Sequence, residues 1–222
     1  MSAAALPAAL FFFAPSSASA AAAEPRLHSF EAVSLSPDGR TIATLESDEN
    51  EDPSKQPLQA FLLRDAKGAA RKVEILCESG HRCTPAGFAW SDDSSSLAYL
   101  LRDPRAKKRA LYVLDRATLA SKRVLSFDGT LESPRFMRDG KSIAVLATAG
   151  AHKEVGATQA GAPIVGEIGT STDEQRIAVV GIGDGRLRMV SPAHLFVYEY
   201  DLAPRGFVAT AAPGNGDNNW WV

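Results

Sequence analysis

The chain has 222 residues, 45% of them hydrophobic and 23% charged, with a formal net charge of −2. This is the composition of a globular protein with length for one large core or two small ones, and it excludes a wholly disordered chain. The near-neutral charge argues against a nucleic-acid binder, and no apolar run reaches the roughly 18 residues of a membrane-spanning helix.

The first stretch, MSAAALPAALFFFAPSSASAAAAEP, carries no charged side chain before Glu24. Ala3 to Ala14 forms a short apolar region, and Ala18-Ser19-Ala20 fits a small-residue cleavage site. Residues 1–20 are therefore expected to be a secretory signal, although the usual initial Lys or Arg is missing. The mature chain would begin near Ala21 and reside in the periplasm or outside the cell, with no membrane contact after signal removal.

The next stretch, VSLSPDGRTIATL from Val33, joins a tight turn to a strand. In Ser36-Pro37-Asp38-Gly39, Pro presets φ, Asp bonds its own backbone and Gly accepts a positive φ. The unit returns as FAWSDDSSSLAYL from Phe88 and PRFMRDGKSIAVL from Pro134. A degraded fourth copy, YDLAPRGFVAT, starts at Tyr200. Gly39, Ser94 and Gly140 align, as do Ile42, Leu97 and Ile143.

Each of the first three copies is followed by a second signal of the form apolar strand, polar turn, basic residue, short strand. These lie at 59–76, 110–127 and 175–192. Four strands per unit, joined by hairpins and recurring every ~45 residues or somewhat more, mark a β-propeller blade. Runs such as LAYLL and IAVV are apolar on both faces, as strands between stacked blades must be. A β-sandwich gives no reason for the same unit to return. The expected fold is all-β, a partial β-propeller over 21–222, with three to four blades of four-stranded antiparallel sheet. The blades fall at roughly 28–80, 81–128 and 129–192, and a fourth starts at 193–222.

Cys77 and Cys83, in CESGHRC, are spaced for a small disulfide-closed loop. Export favours that bridge. A metal site would need more ligands than His81 and this pair, so neither metal nor cofactor is expected. His28, His81, His152 and His194 lack a triad-like context and read as surface or loop residues. The acidic run 46–57 and the basic run beginning at Arg102 occupy the same place in successive units and read as solvated hairpin tips. The insertion 148–175 is longer than a hairpin needs. PGNGDNNWWV offers the most suggestive contact residues: Asp217, Asn218 and Asn219 with hydrogen-bonding groups, Trp220 and Trp221 with apolar area. They suit peptide contact, or a turn with Asx bonds followed by packed tryptophans.

The SPDGRTIATL type of repeat resembles the propeller repeats of TolB-like proteins and of prolyl oligopeptidase family serine peptidases. RLRMVSPAHLFVYEYDLAPRGFVATAAPGNGDNNWWV is similar to the mid-propeller of secreted bacterial dipeptidyl- or acylaminoacyl-peptidase-like members, and the resemblance spans roughly 28–222. In that family the propeller precedes an α/β-hydrolase domain and screens its active site. Two departures stand out: the family has seven or eight blades, and no G-x-S-x-G nucleophile elbow occurs in this sequence.

The resemblance therefore implies a non-catalytic portion of a secreted serine peptidase, truncated before the hydrolase domain. It would gate or position peptide substrates for that domain and would not be an enzyme as it stands. An open propeller edge would be available to a protein partner or to self-association. The alternative is a stand-alone periplasmic TolB-like protein-interaction module.

Overall fold

The computed structural model describes residues 27–52, 54–55, 57–75, 83–103, 108–151 and 174–213. The expected signal, residues 1–20, lies outside the described residues. Every regular element among the described residues is a β-strand, so the fold is all-β, as the repeat predicts.

The first unit is β1 (His28–Leu35), β2 (Thr41–Asp48), β3 (Leu58–Asp65) and β4 (Ala70–Lys72), paired in that order. The second and third units run together in seven strands. They are β5 (Thr84–Trp90), β6 (Ser96–Asp103), β7 (Lys108–Asp115), β8 (Ser121–Phe136), β9 (Ser142–Ala149), β10 (Arg176–Gly181) and β11 (Leu187–Met189). A hairpin, β12 (Leu195–Ala203) and β13 (Gly206–Pro213), forms the start of a fourth unit. All pairings within these units are antiparallel.

The sequence pattern suggests separate short strands throughout, and β8 departs from it. Its residues up to Asp128 pair with β7, while those from Gly129 pair with β9. One strand is thus the outer strand of the second unit and the first strand of the third. Gly129 makes the crossing with φ +139°, and a Cβ there would stand 2.1 Å from the Thr148 carbonyl oxygen. Only glycine fits.

First strands neighbour one another in succession, β1 with β5, β5 with β8 and β8 with β12, as blades around an axis require. Alternate side chains of each inner strand then face opposite neighbours. Leu97, Tyr99 and Leu101 of β6 pack with Ala43, Leu45, Phe61 and Leu63 of the first blade. Ala98 and Leu100, between them, pack with Leu131, Ile143, Val145 and Val180 of the third. Ala144, Leu146 and Ile177 meet Val197 and Tyr200 of the fourth unit. Burial on both faces is why these strands read as unbroken apolar runs. Burying each such leucine contributes ~1.5–3 kcal/mol.

Candidate functional site

The turns between first and second strands are built alike. In the first blade, Ser36 Oγ donates to Asp38 Oδ1 at 2.6 Å, and Asp38 Oδ1 also accepts the Arg40 amide at 3.0 Å. Ser91, Asp93 and Ser95 repeat both bonds at 2.6 and 3.0 Å. In the third blade Met137 replaces the serine. Asp139 Oδ1 there accepts the Lys141 and Ser142 amides at 2.8 and 3.0 Å. Gly39, Ser94 and Gly140 close the three turns at φ +68°, +60° and +61°. The fourth unit differs, with only Pro204 and Arg205 between its strands.

The first two blades are clamped across their turns. Ser94 Oγ accepts the Asp38 amide at 3.0 Å, and Arg116 Nη1 donates to Asp38 Oδ2 at 2.7 Å. Arg71 donates to the carbonyls of Arg116 and Ala117 at 2.8 and 3.1 Å. Trp90 Nε1 adds a bond to the Ser34 carbonyl at 3.2 Å. The Ser36 hydroxyl, then the Arg116 guanidinium and the Arg40 amide, hold the Asp38 carboxyl well below the usual range.

The face of the first blade turned away from the second carries an unusual mixture. Arg64 Nε and Nη2 grip the two oxygens of Glu46, each at 2.8 Å, and Thr44 Oγ1 donates to Glu46 Oε1 at 2.6 Å. His28 Nε2 lies 3.3 Å from Glu46, and its Nδ1 lies 2.7 Å from Asp48. The Arg64 bonds lower the Glu46 pKa, against a smaller opposing effect of burial, with the Thr44 hydroxyl helping. Around this paired centre, Phe30, Val33, Leu35 and Leu58 are 56–62% exposed and Ile42 is 37% exposed. Register places them with Thr44 and Glu46, opposite the core-facing Ala43, Leu45 and Phe61. An apolar sheet face with its charges already paired suits packing against another protein surface.

Of the histidines, cysteines and C-terminal contact residues singled out by sequence, the structure describes His28, Cys83 and His194. Asp217, Asn218, Asn219, Trp220 and Trp221 lie outside the described residues, as do Cys77, His81 and His152. Cys83 is buried in the core between the first two blades. His194 is an exposed turn residue beside Glu174. His28 is a surface residue, as expected, but it stands on a strand with its ring against two carboxylates. No described group of three or more His, Cys, Asp or Glu is placed to hold a metal ion. Sequence reasoning missed the clamp of Asp38, Ser94 and Arg116. Its one local signal is a serine at a turn position that favours glycine.

No family model matches the chain, and no curated protein matches its sequence. Solved structures do match in fold. A prolyl endopeptidase structure aligns at TM-score 0.55 and 14% identity, over 84% of this chain and 26% of that one. Acylaminoacyl peptidase, solved with Z-Gly-Gly-Phe-chloromethyl ketone, aligns at 0.51 and 13% identity, over 78% and 26%. The β-propeller domain of the Trilobed protease from Pyrococcus furiosus, with its open velcro topology, aligns at 0.50 and 12%, over 78% and 45%. The chain thus spans less than half the length of each of these structures, and what it shares with them is the β-propeller fold.

Proposed function

We propose that this chain is the propeller portion of a secreted prolyl oligopeptidase family serine peptidase, and that it screens and positions peptide substrates beside an α/β-hydrolase domain. The observation that carries this reading is the outward face of the first blade. Phe30, Val33, Leu35 and Leu58 stand exposed there in the manner of a blade face awaiting a neighbour. Fold similarity to two peptidases and to the propeller domain of a third, each solved chain matched over less than half its length, supports the same reading. In this proposal the chain contributes no nucleophile, base or oxyanion hole.

The test uses the native protein captured from its source cells. A species well above 23.6 kDa that reacts with a serine-directed fluorophosphonate is the expected result. An unlabelled species of 23.6 kDa or less overturns the peptidase reading and favours a stand-alone interaction module.

A further inference from the structure

The seam between the second and third blades repeats the clamped seam with two residues exchanged. Arg116 donates its amide to the Ser95 carbonyl at 2.9 Å, and Ile182 donates its amide to the Lys141 carbonyl at 2.9 Å. The two positions are therefore equivalent. Ser94 and Gly140 are equivalent too, with φ of +60° and +61° and matching amide bonds to Ser91 and Met137. At the first seam a hydroxyl and a guanidinium reach Asp38. At the second, Gly140 has no hydroxyl and Ile182 has no charge.

A cleft of about 340 Å³ opens in that place. Asp93, the counterpart of Asp38, lines it together with Asp92 and Asp139. Val113, Phe136, Met137 and Ile182 form its apolar walls. Arg138 also lines it, and with three aspartates against one arginine the lining is net negative. Among the described residues no cation pairs with Asp93. Its Oδ1 accepts from Ser91 and Ser95, as Asp38 Oδ1 does from Ser36 and Arg40. Among the described residues its Oδ2 accepts only the Ser95 hydroxyl, at 2.9 Å, which leaves a lone pair for another donor. The Ser91 hydroxyl, with the Ser95 amide and hydroxyl, keeps this carboxyl ionised down to about pH 2.

We propose that this cleft binds an arginine side chain of a peptide or protein partner, its guanidinium on Asp93 and its stem along Phe136, Met137 and Ile182. The occupant is read from the molecule itself, because one blade earlier the same place holds Arg116. A planar guanidinium matches a carboxylate rim better than an ammonium, and its aliphatic stem suits apolar walls. The inference is independent of the peptidase reading, since it needs only the turns of the second and third blades.

The experiment titrates N-acetyl-arginine amide into the full chain labelled with ¹⁵N, with N-acetyl-citrulline amide as the neutral isostere. Saturable shifts at Asp93, Ser95 and Ile182 are expected with the arginine probe, with binding about tenfold weaker or more for citrulline. Asp93→Asn should abolish them. Ile182→Arg should fill the cleft from within, block the probe and raise the thermal midpoint. Equal binding of citrulline, no saturable shift at this seam, or retention of binding in either folded variant overturns the proposal. The citrulline comparison, made on the unaltered chain, decides the matter if a variant fails to fold.

Discussion

Arg116 and Asp38 lie 78 residues apart in the chain and 2.7 Å apart in space, and their ion pair closes the turn side of the first blade seam. The Arg116 backbone is held independently, its amide on Ser95 and its carbonyl under Arg71. Arg116→Leu should therefore remove the guanidinium bond without dislodging the turn. A modest fall in thermal midpoint is expected, with the circular dichroism spectrum retained. Arg116→Lys should recover only part of the loss, because a flexible, strongly hydrated ammonium is less preorganised for this bond than the planar guanidinium. Full recovery by lysine would show that charge alone matters at this seam.

Ser94 is a residue with φ of +60° at 1% exposure, and its hydroxyl bonds to the Asp38 amide. Ser94→Ala keeps the unfavourable backbone and loses the bond, at a cost of about 1–2 kcal/mol. Ser94→Gly loses the same bond but relieves a left-handed strain of about 1–2 kcal/mol. Glycine should thus be the milder change by about 1 kcal/mol in urea unfolding. Alanine equal to glycine would mean that strain at this turn is negligible.

What the sequence makes legible follows from the range of each interaction. The turn bonds of Ser36, Asp38 and Arg40 span two residues, so the turn is spelled out locally and recurs wherever its letters do. Apolar runs such as Leu97 to Leu101 announce burial on both faces, and the two cores flanking β6 bear that out. The seams are another matter. Asp38 meets Ser94 and Arg116 through bonds spanning 56 and 78 residues, which leave no local pattern. The continuous strand through Gly129 was equally hidden, since a lone glycine in SFDGTLESPRF reads as a break rather than a crossing. The carboxylates beside His28 leave no local signal either, because both lie on the neighbouring strand.

The alternation along β6 predicts a pattern of additivity. Leu97→Ala and Leu100→Ala should each destabilise the chain by about 2–5 kcal/mol. They open cavities in different cores, one facing the first blade and one the third. Their effects should add within about 0.5 kcal/mol. Leu97 pairs directly with Leu114 in the same core, so that double alanine variant should deviate from additivity by more. Strong coupling between Leu97 and Leu100 would contradict the two-core arrangement.

Cys83 is buried at 4% exposure beside the core of the first seam. A bridge from it to Cys77 would close a short loop and contribute about 2 kcal/mol by restricting the unfolded chain. Intact mass should rise by two hydrogens on reduction, with both thiols then open to alkylation. Two alkylated cysteines before reduction, in protein recovered from an oxidising compartment, would rule the bridge out.

The Glu46 cluster predicts the direction of acid sensitivity. Arg64 and Thr44 favour the charged carboxylate, so the folded pKa lies below the unfolded value of about 4.3. The unfolded chain therefore binds protons first as pH falls. The stabilisation is complete above the unfolded value and is lost as pH drops through the folded pKa. The urea midpoint should decline from about pH 5 downward. Glu46→Gln should unfold more easily at neutral pH, since Arg64 loses its ionic partner, yet show a shallower decline in acid. Because His28 lies 3.3 Å from Glu46, the difference in slope reports Glu46 together with its contacts to Arg64, Thr44 and His28. Parallel acid profiles for the two would mean that the Arg64 pairing contributes nothing to folding.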